Sequence, residues 1–245
     1  MLRNFKAIFS YDGTLFFGSQ KQPSVRTVQG ELEAALSRYL KSDISLTMSS
    51  RTDRGVHAFK ACANFVSDTK IPSDAIFKYL KKSLPRDISI ESICLVDDSF
   101  NARMSVLSKS YVYRMKPLKS FTVFDHNYFY PLECELDLSK LAEIIIPIEG
   151  KHDFSSFTKK ERKDKNRELS IRKVSLSERD GYYEIYVEAR SFLRGMVRII
   201  VGSSLQEYFG LVERGYLLEK LNNPSHISGR VVAPPQGLYL YDVKY

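Results

Sequence analysis

The chain has 245 residues, 43% apolar and 27% charged, with 37 basic against 29 acidic side chains and a net charge of +8. This size allows one large or two small domains, and the composition is that of a soluble globular protein. No run approaches the roughly eighteen apolar residues of a membrane span, and Cys62, Cys94 and Cys134 are too widely spaced for a disulfide framework. They read as reduced thiols of a cytoplasmic protein. Met1 to Lys6 runs straight into a strand, so no signal or transit peptide is expected.

Phe5 to Ser10 alternates like a strand, and Thr27 to Leu40 has helical spacing through Val28, Leu32, Ala35, Leu36 and Tyr39. Strands are predicted at Ile44 to Met48 and Ala58 to Val66. A helix capped by Ser73 and stopped by Pro85 follows, and then a strand from Ile88 to Val96. This strand–helix–strand–strand–helix–strand order is ferredoxin-like. Beyond it, strands are predicted at Tyr111 to Lys116, Leu169 to Ser177, Tyr182 to Ala189 and Leu238 to Val243. Helices are predicted at Leu138 to Ile148, Phe192 to Phe209 and Tyr216 to Leu221. The expected class is α+β, with a boundary near residue 105 and no linker to mark it, so the halves are expected to share one sheet.

Split after Met104, each half carries +4, from 15 basic and 11 acidic residues and then 22 and 18. A bias spread this evenly predicts a basic face built from both halves, suited to phosphate backbones.

The most informative segment runs Ser50-Arg51-Thr52-Asp53-Arg54-Gly55-Val56-His57-Ala58. It sets one carboxylate, Asp53, in a short polar turn between two strands, with an arginine on either side and Gly55 to let the chain fold back. Flanking positive charge suits an ionised carboxylate acting as a nucleophile or base. Polar turns of this composition are also common solvated connections, and the turn's chemistry alone leaves both readings open.

The segment resembles the signature GRTDAGVHA of the TruA family, the tRNA pseudouridine synthases that act on the anticodon arm. Five further blocks resemble that family in its order. Tyr11-Asp12-Gly13-Thr14 with Phe16, Gly18, Gln20, Gln22, Thr27-Val28-Gln29 and Leu32-Glu33 is similar to its opening. Phe100-Asn101-Ala102-Arg103 with Tyr111 and Tyr113 follows, then His152-Asp153-Phe154 with Ser156-Phe157. Phe192-Leu193, Met196-Val197-Arg198 and Gly202 come next, and Ala233-Pro234-Pro235 with Gly237-Leu238-Tyr239-Leu240 closes the series.

The resemblance implies the pseudouridine synthase fold, with two ferredoxin-like-related lobes, residues 1–104 and 105–245, sharing a central antiparallel sheet with a catalytic cleft between them. It implies isomerisation of uridine to pseudouridine at positions 38, 39 and 40 of the tRNA anticodon stem-loop, by a homodimer in which one tRNA touches both subunits. A non-catalytic RNA-binding protein on the same scaffold is the alternative. The family's essential aspartate falls on Asp53, which would attack the sugar's anomeric carbon, remove the 2′-proton or attack C6 of the base; the sequence leaves these three open.

Arg198 lies in an apolar helix, where a lone charge is expensive to bury, and the family pairs this arginine with the aspartate. Tyr111 matches the active-site tyrosine whose ring stacks on the target base, and Tyr113 is expected on the opposite face of the strand as packing. Arg51 is implied to contact RNA, and Leu238 to line the base pocket. The dense charged run Lys159 to Arg167 is read as a phosphate-contacting loop.

His57, His126, His152 and His226 form no ligand spacing with the cysteines, so no metal is expected. No phosphate-cradling glycine loop is present, so no nucleotide cofactor is expected either. Three positions depart from the family pattern. Ser50 replaces a glycine, Arg54 replaces an alanine and adds charge beside Asp53, and Ser19 replaces a tryptophan, a change expected to bear on packing or RNA contact.

Overall fold

A computed structural model describes residues 1–159, 167–225 and 231–245. The chain divides into two compact units, Met1–Leu107 with Tyr239–Tyr245, and Ser108–Leu238.

The first unit runs β1 (Arg3–Tyr11), α1 (Val28–Leu40), β2 (Thr47–Met48), β3 (His57–Ser67), α2 (Ser73–Ser83) and β4 (Ile88–Val96). β1 is central, antiparallel to β3 on one side and to β4 on the other, with Phe5 opposite both Phe65 and Leu95. Its alternating apolar residues put Phe5 and Phe9 into the core, where the Phe5 and Phe65 rings stack 5.0 Å apart. The helices bury Leu32, Leu36, Ile76 and Leu80, and Tyr39 of α1 stacks on Tyr79 of α2 at 4.1 Å. Two strands share the second edge of β3. β2 lies antiparallel beside Ala63 and Asn64. The last strand, Leu238–Lys244, runs parallel beside the start of β3, with Tyr239 opposite His57 and Leu240 opposite Ala58.

The second unit runs β5 (Ser108–Pro117), β6 (Tyr130–Leu132), α3 (Leu138–Ile145), β7 (Gly150–Asp153), β8 (Glu168–Arg179), β9 (Tyr182–Ala189), α4 (Met196–Tyr208) and α5 (Tyr216–Asn222), leaving Leu238–Lys244 as β10. β7, β8, β9 and β5 form an antiparallel sheet in that order, with β6 parallel to the end of β5. Every residue of α4 from Met196 to Leu205 is buried, the mark of a helix surrounded by core. Both units are α+β. Among the described residues no helix is long and apolar enough to cross a membrane.

Several expected elements shift, each for a local reason. The strand predicted at Ile44 to Met48 shrinks to Thr47–Met48 because side chains of α1 take its earlier backbone groups. The Ile44 N–H donates to Ser37 Oγ and the Leu46 N–H to Glu33 Oε1, while the Leu46 carbonyl accepts from Gln29. Ser73 is not the cap of α2. Pro72 holds that place, its carbonyl accepting from the Ala75 and Ile76 N–H groups. The helix predicted from Phe192 begins only at Met196, because Gly195 precedes it at a φ of 73°. Pro147 tightens the end of the helix predicted to Ile148 into a 3₁₀ turn, Ile146–Ile148. The short strands β6 and β7 carry no periodic pattern long enough to find.

Candidate active site

In the first unit the Asp53 turn is closed by a hydrogen bond from the Val56 N–H to the Asp53 carbonyl at 3.2 Å, and Gly55 takes the expected positive φ of 77°. A second loop, residues 11–19, braces it. Gly18 has a φ of 101°, and a Cβ there would lie 2.8 Å from the Thr52 carbonyl oxygen and 3.6 Å from the Asp53 carbonyl carbon. Only glycine brings the two loops this close. Ser19 then clamps Thr52 from both sides of its backbone. The Ser19 N–H donates to the Thr52 carbonyl at 3.2 Å, and Ser19 Oγ accepts from the Thr52 N–H at 2.9 Å. The Thr52 side chain is fixed as well, its Oγ1 lying 2.8 Å from the Tyr11 hydroxyl.

Behind the turn, the Gly13 N–H donates to His57 Nδ1 at 3.0 Å, and the imidazole stacks on Tyr239 at 4.6 Å. Asp12 closes its own turn by accepting from the Thr14 N–H and hydroxyl. Asp53 itself is half-buried and Arg51 is exposed. The Arg54 guanidinium lies over the Phe17 ring at 4.3 Å. The Ser50 hydroxyl, where the family pattern has glycine, is buried without a hydrogen-bond partner.

In the second unit Tyr111 and Tyr113 both lie on β5, paired without interruption from Lys109 to Met115 against β9. Two-residue spacing in an unbroken ladder puts both rings on one face, which corrects the expectation that Tyr113 faces the other way. Tyr111, opposite Val187, is buried and presents an edge-to-face contact to Phe192 at 5.1 Å. Tyr113 is fully buried and donates its hydroxyl to the Pro234 carbonyl at 3.0 Å. Burial pushes its phenol well above the ordinary tyrosine range, and the charge of Arg198 pulls the other way.

Arg198 is 9% exposed on α4. Its Nε donates to the Ala233 carbonyl at 2.7 Å, and the Ala233 N–H donates back to the Arg198 carbonyl at 2.9 Å. Arg198 and Tyr113 thus grip adjacent carbonyls of the passage that leads to the buried Leu238.

The His152-Asp153-Phe154 block is structural in what it shows. Asp153 accepts from the Ser155 N–H and hydroxyl, and Phe154 and Phe157 are core. Of the basic run from Lys159 to Arg167, residues 160–166 lie outside the described residues, as does His226. Lys159 and Arg167 are tied to the fold, the first through its N–H to the Arg194 carbonyl and the second through its carbonyl to the Phe154 N–H.

The sequence points to Asp53, Arg51, Tyr111, Arg198 and Leu238 but not to the residues that hold the Asp53 turn. Tyr11, Gly18 and Ser19 reach the Asp53 turn from more than thirty residues away. In the sequence Ser19 stands out only as a departure from the family pattern.

The family model for tRNA pseudouridine synthase matches residues 7–103 and 144–245. Among curated proteins, tRNA pseudouridine synthase A of Thermosipho africanus is 40% identical over 246 aligned residues, covering 100% of each chain. The tRNA pseudouridine synthase A of Aquifex aeolicus is 36% identical, covering 98% of each chain. That of a Geobacillus species is 37% identical, covering 100% of this chain and 99% of its own. Matched by the family model over most of its length and by such relatives from end to end, the chain belongs to the tRNA pseudouridine synthases, the isomerases that turn uridine in tRNA into pseudouridine.

Proposed function

We propose that this enzyme modifies positions 38, 39 and 40 of the tRNA anticodon stem-loop, that it does so as a homodimer, and that it works in the cytoplasm. Asp53 is the reacting carboxylate. The observation that carries this reading is the bracing of its turn. Tyr11, Gly18 and Ser19 fix the residue before Asp53 through backbone and side chain together, which is more restraint than a solvated connection needs.

The reaction breaks the bond from uracil N1 to C1′ of the sugar, turns the base, and joins C5 to C1′. C5 gives up a proton and N1 gains one, so substrate and product have the same mass and no electrons enter or leave. The detached base must be held throughout, and the uridine must leave its helical stack before any of this begins. In this reading Arg198 is one of the residues that bind the substrate. The Tyr111 ring stacks on the flipped base, its hydroxyl moves a proton, Leu238 lines the base pocket and Arg51 contacts RNA.

The test is incubation of the purified protein with an unmodified anticodon-arm transcript, followed by mapping of pseudouridine. Product is expected at positions 38, 39 and 40 and at no uridine outside the arm. Product elsewhere would overturn the position assignment. Tight binding with no product would favour an RNA-binding protein on this scaffold.

A second expectation concerns the brace. Ser19→Ala removes the partner of the part-buried Thr52 N–H, a loss of roughly 0.5–1.5 kcal/mol for a hydrogen bond. If that loss is felt as misplacement of Asp53, kcat should fall about three- to tenfold with KM nearly unchanged, and Ser19→Thr should restore it. An unchanged kcat in Ser19→Ala would confine Ser19 to packing.

A further inference from the structure

Two neighbouring aromatic residues, Phe16 and Phe17, each carry an arginine on the ring face, and the two arrangements differ in one respect. Arg26 lies 4.3 Å from the Phe16 centroid, and its guanidinium is consumed by acids. It donates to both carboxylate oxygens of Asp87 and, through Nε, to Glu31 at 2.7 Å. That pair is a finished structural unit. Arg54 lies at the same 4.3 Å over Phe17, but it is exposed, as is Phe17 at 44%. Among the described residues no carboxylate pairs with Arg54.

The geometry is nonetheless fixed. The Phe17 N–H donates to the Arg26 carbonyl at 2.9 Å, the Phe17 carbonyl accepts from Gln22 at 3.0 Å, and the tight approach at Gly18 locks this loop to the Thr52–Arg54 backbone.

We propose that Arg54, held over the Phe17 ring, is a binding site for one backbone phosphate of the RNA substrate, belonging to the reacting nucleotide or an immediate neighbour. The inference rests on the reading that Asp53 is the reacting carboxylate, since Arg54 is the next residue in the chain. A guanidinium presents its N–H groups as a planar fork, which matches phosphate oxygens two at a time, and holding it over a ring face leaves that fork available. The ring limits the rotamer freedom that an exposed arginine would otherwise lose on binding. A cation here also serves a need that a carboxylate creates, because Asp53 must meet a polyanion that it repels. Arg54 supplies the offsetting charge one residue away.

The test uses full-length Asp53→Asn protein, in which binding is read without turnover, and an unmodified anticodon-arm RNA titrated across a range of salt concentrations. Adding Arg54→Ala is expected to weaken binding about three- to tenfold near 0.1 M salt and to reduce the slope of log affinity against log salt by about one, the loss of a single phosphate contact. Arg54→Lys should keep the slope while losing part of the affinity. Phe17→Leu, which keeps the charge and removes the platform, should weaken binding about two- to threefold with the slope retained.

Unchanged affinity and slope in Arg54→Ala would overturn the proposal. Parental affinity in Phe17→Leu would overturn the role of the ring. Turnover by Asp53→Asn itself would remove the catalytic reading, while the binding comparison would still decide whether Arg54 holds phosphate. Failure of Asp53→Asn to bind the RNA at all would overturn both.

Discussion

Asp53→Asn is expected to abolish pseudouridine formation while leaving tRNA affinity intact or slightly higher. The substitution is nearly isosteric, and the turn has several holds that do not involve the carboxylate. The Val56 N–H bonds the Asp53 backbone carbonyl, and Ser19 and Tyr11 act on Thr52. The fold and the RNA-binding surface should therefore persist. What disappears is the carboxylate proposed to attack or take a proton, together with a charge that repels phosphate. Release of tritium from uridine labelled at C5 measures the chemistry directly, because that hydrogen departs as C5 joins the sugar. Release above background by the purified variant would sink the assignment of Asp53.

Tyr111 carries the second large effect, and two substitutions separate its possible roles. Tyr111 is buried in the β5 ladder with its ring edge-to-face on Phe192. Phenylalanine keeps that contact and loses only the hydroxyl, whereas leucine loses the ring as well. Stacking on a flipped base contributes roughly 1–3 kcal/mol and needs only the aromatic face. Because the hydroxyl is proposed to move a proton, Tyr111→Phe should lower the single-turnover rate by about two to four powers of ten with little change in binding. A ring that only stacks would leave the phenylalanine variant close to wild type and the leucine variant badly impaired. Wild-type rates in both would remove Tyr111 from the reaction.

Elements with a long, regular pattern were legible in the sequence, and β1, β3, β4, β9 and α1 lie within a residue or two of where periodicity puts them. The residues that deviate do so where a partner distant in sequence, or a neighbouring residue, overrides the local preference. Ile44 and Leu46 look like strand but bond to side chains of α1. Phe192 to Gly195 looks like helix but is spent on a left-handed turn, with the Arg194 carbonyl taken by Lys159.

The candidate site divides in the same way. The Asp53 turn announces itself, since its charge pattern and glycine sit within nine residues of one another in sequence. Its brace does not, because a hydrogen bond from Thr52 to Ser19 spans 33 residues and serine carries no pattern of its own. The Arg54–Phe17 stack was invisible for the same reason, as the chain must fold before the ring and the cation meet.

The parallel placement of Tyr239 and Leu240 beside His57 and Ala58 sets the order of synthesis against the order of assembly. The ribosome delivers Met1–Leu107 early, yet the stretch of β3 just after the Asp53 turn gains its neighbour only once all of Ser108–Leu238 has been made. Until residues 239–245 emerge, the start of β3 is an unpaired strand edge, a ready template for pairing with another nascent chain. An edge made early therefore depends on prompt completion of translation.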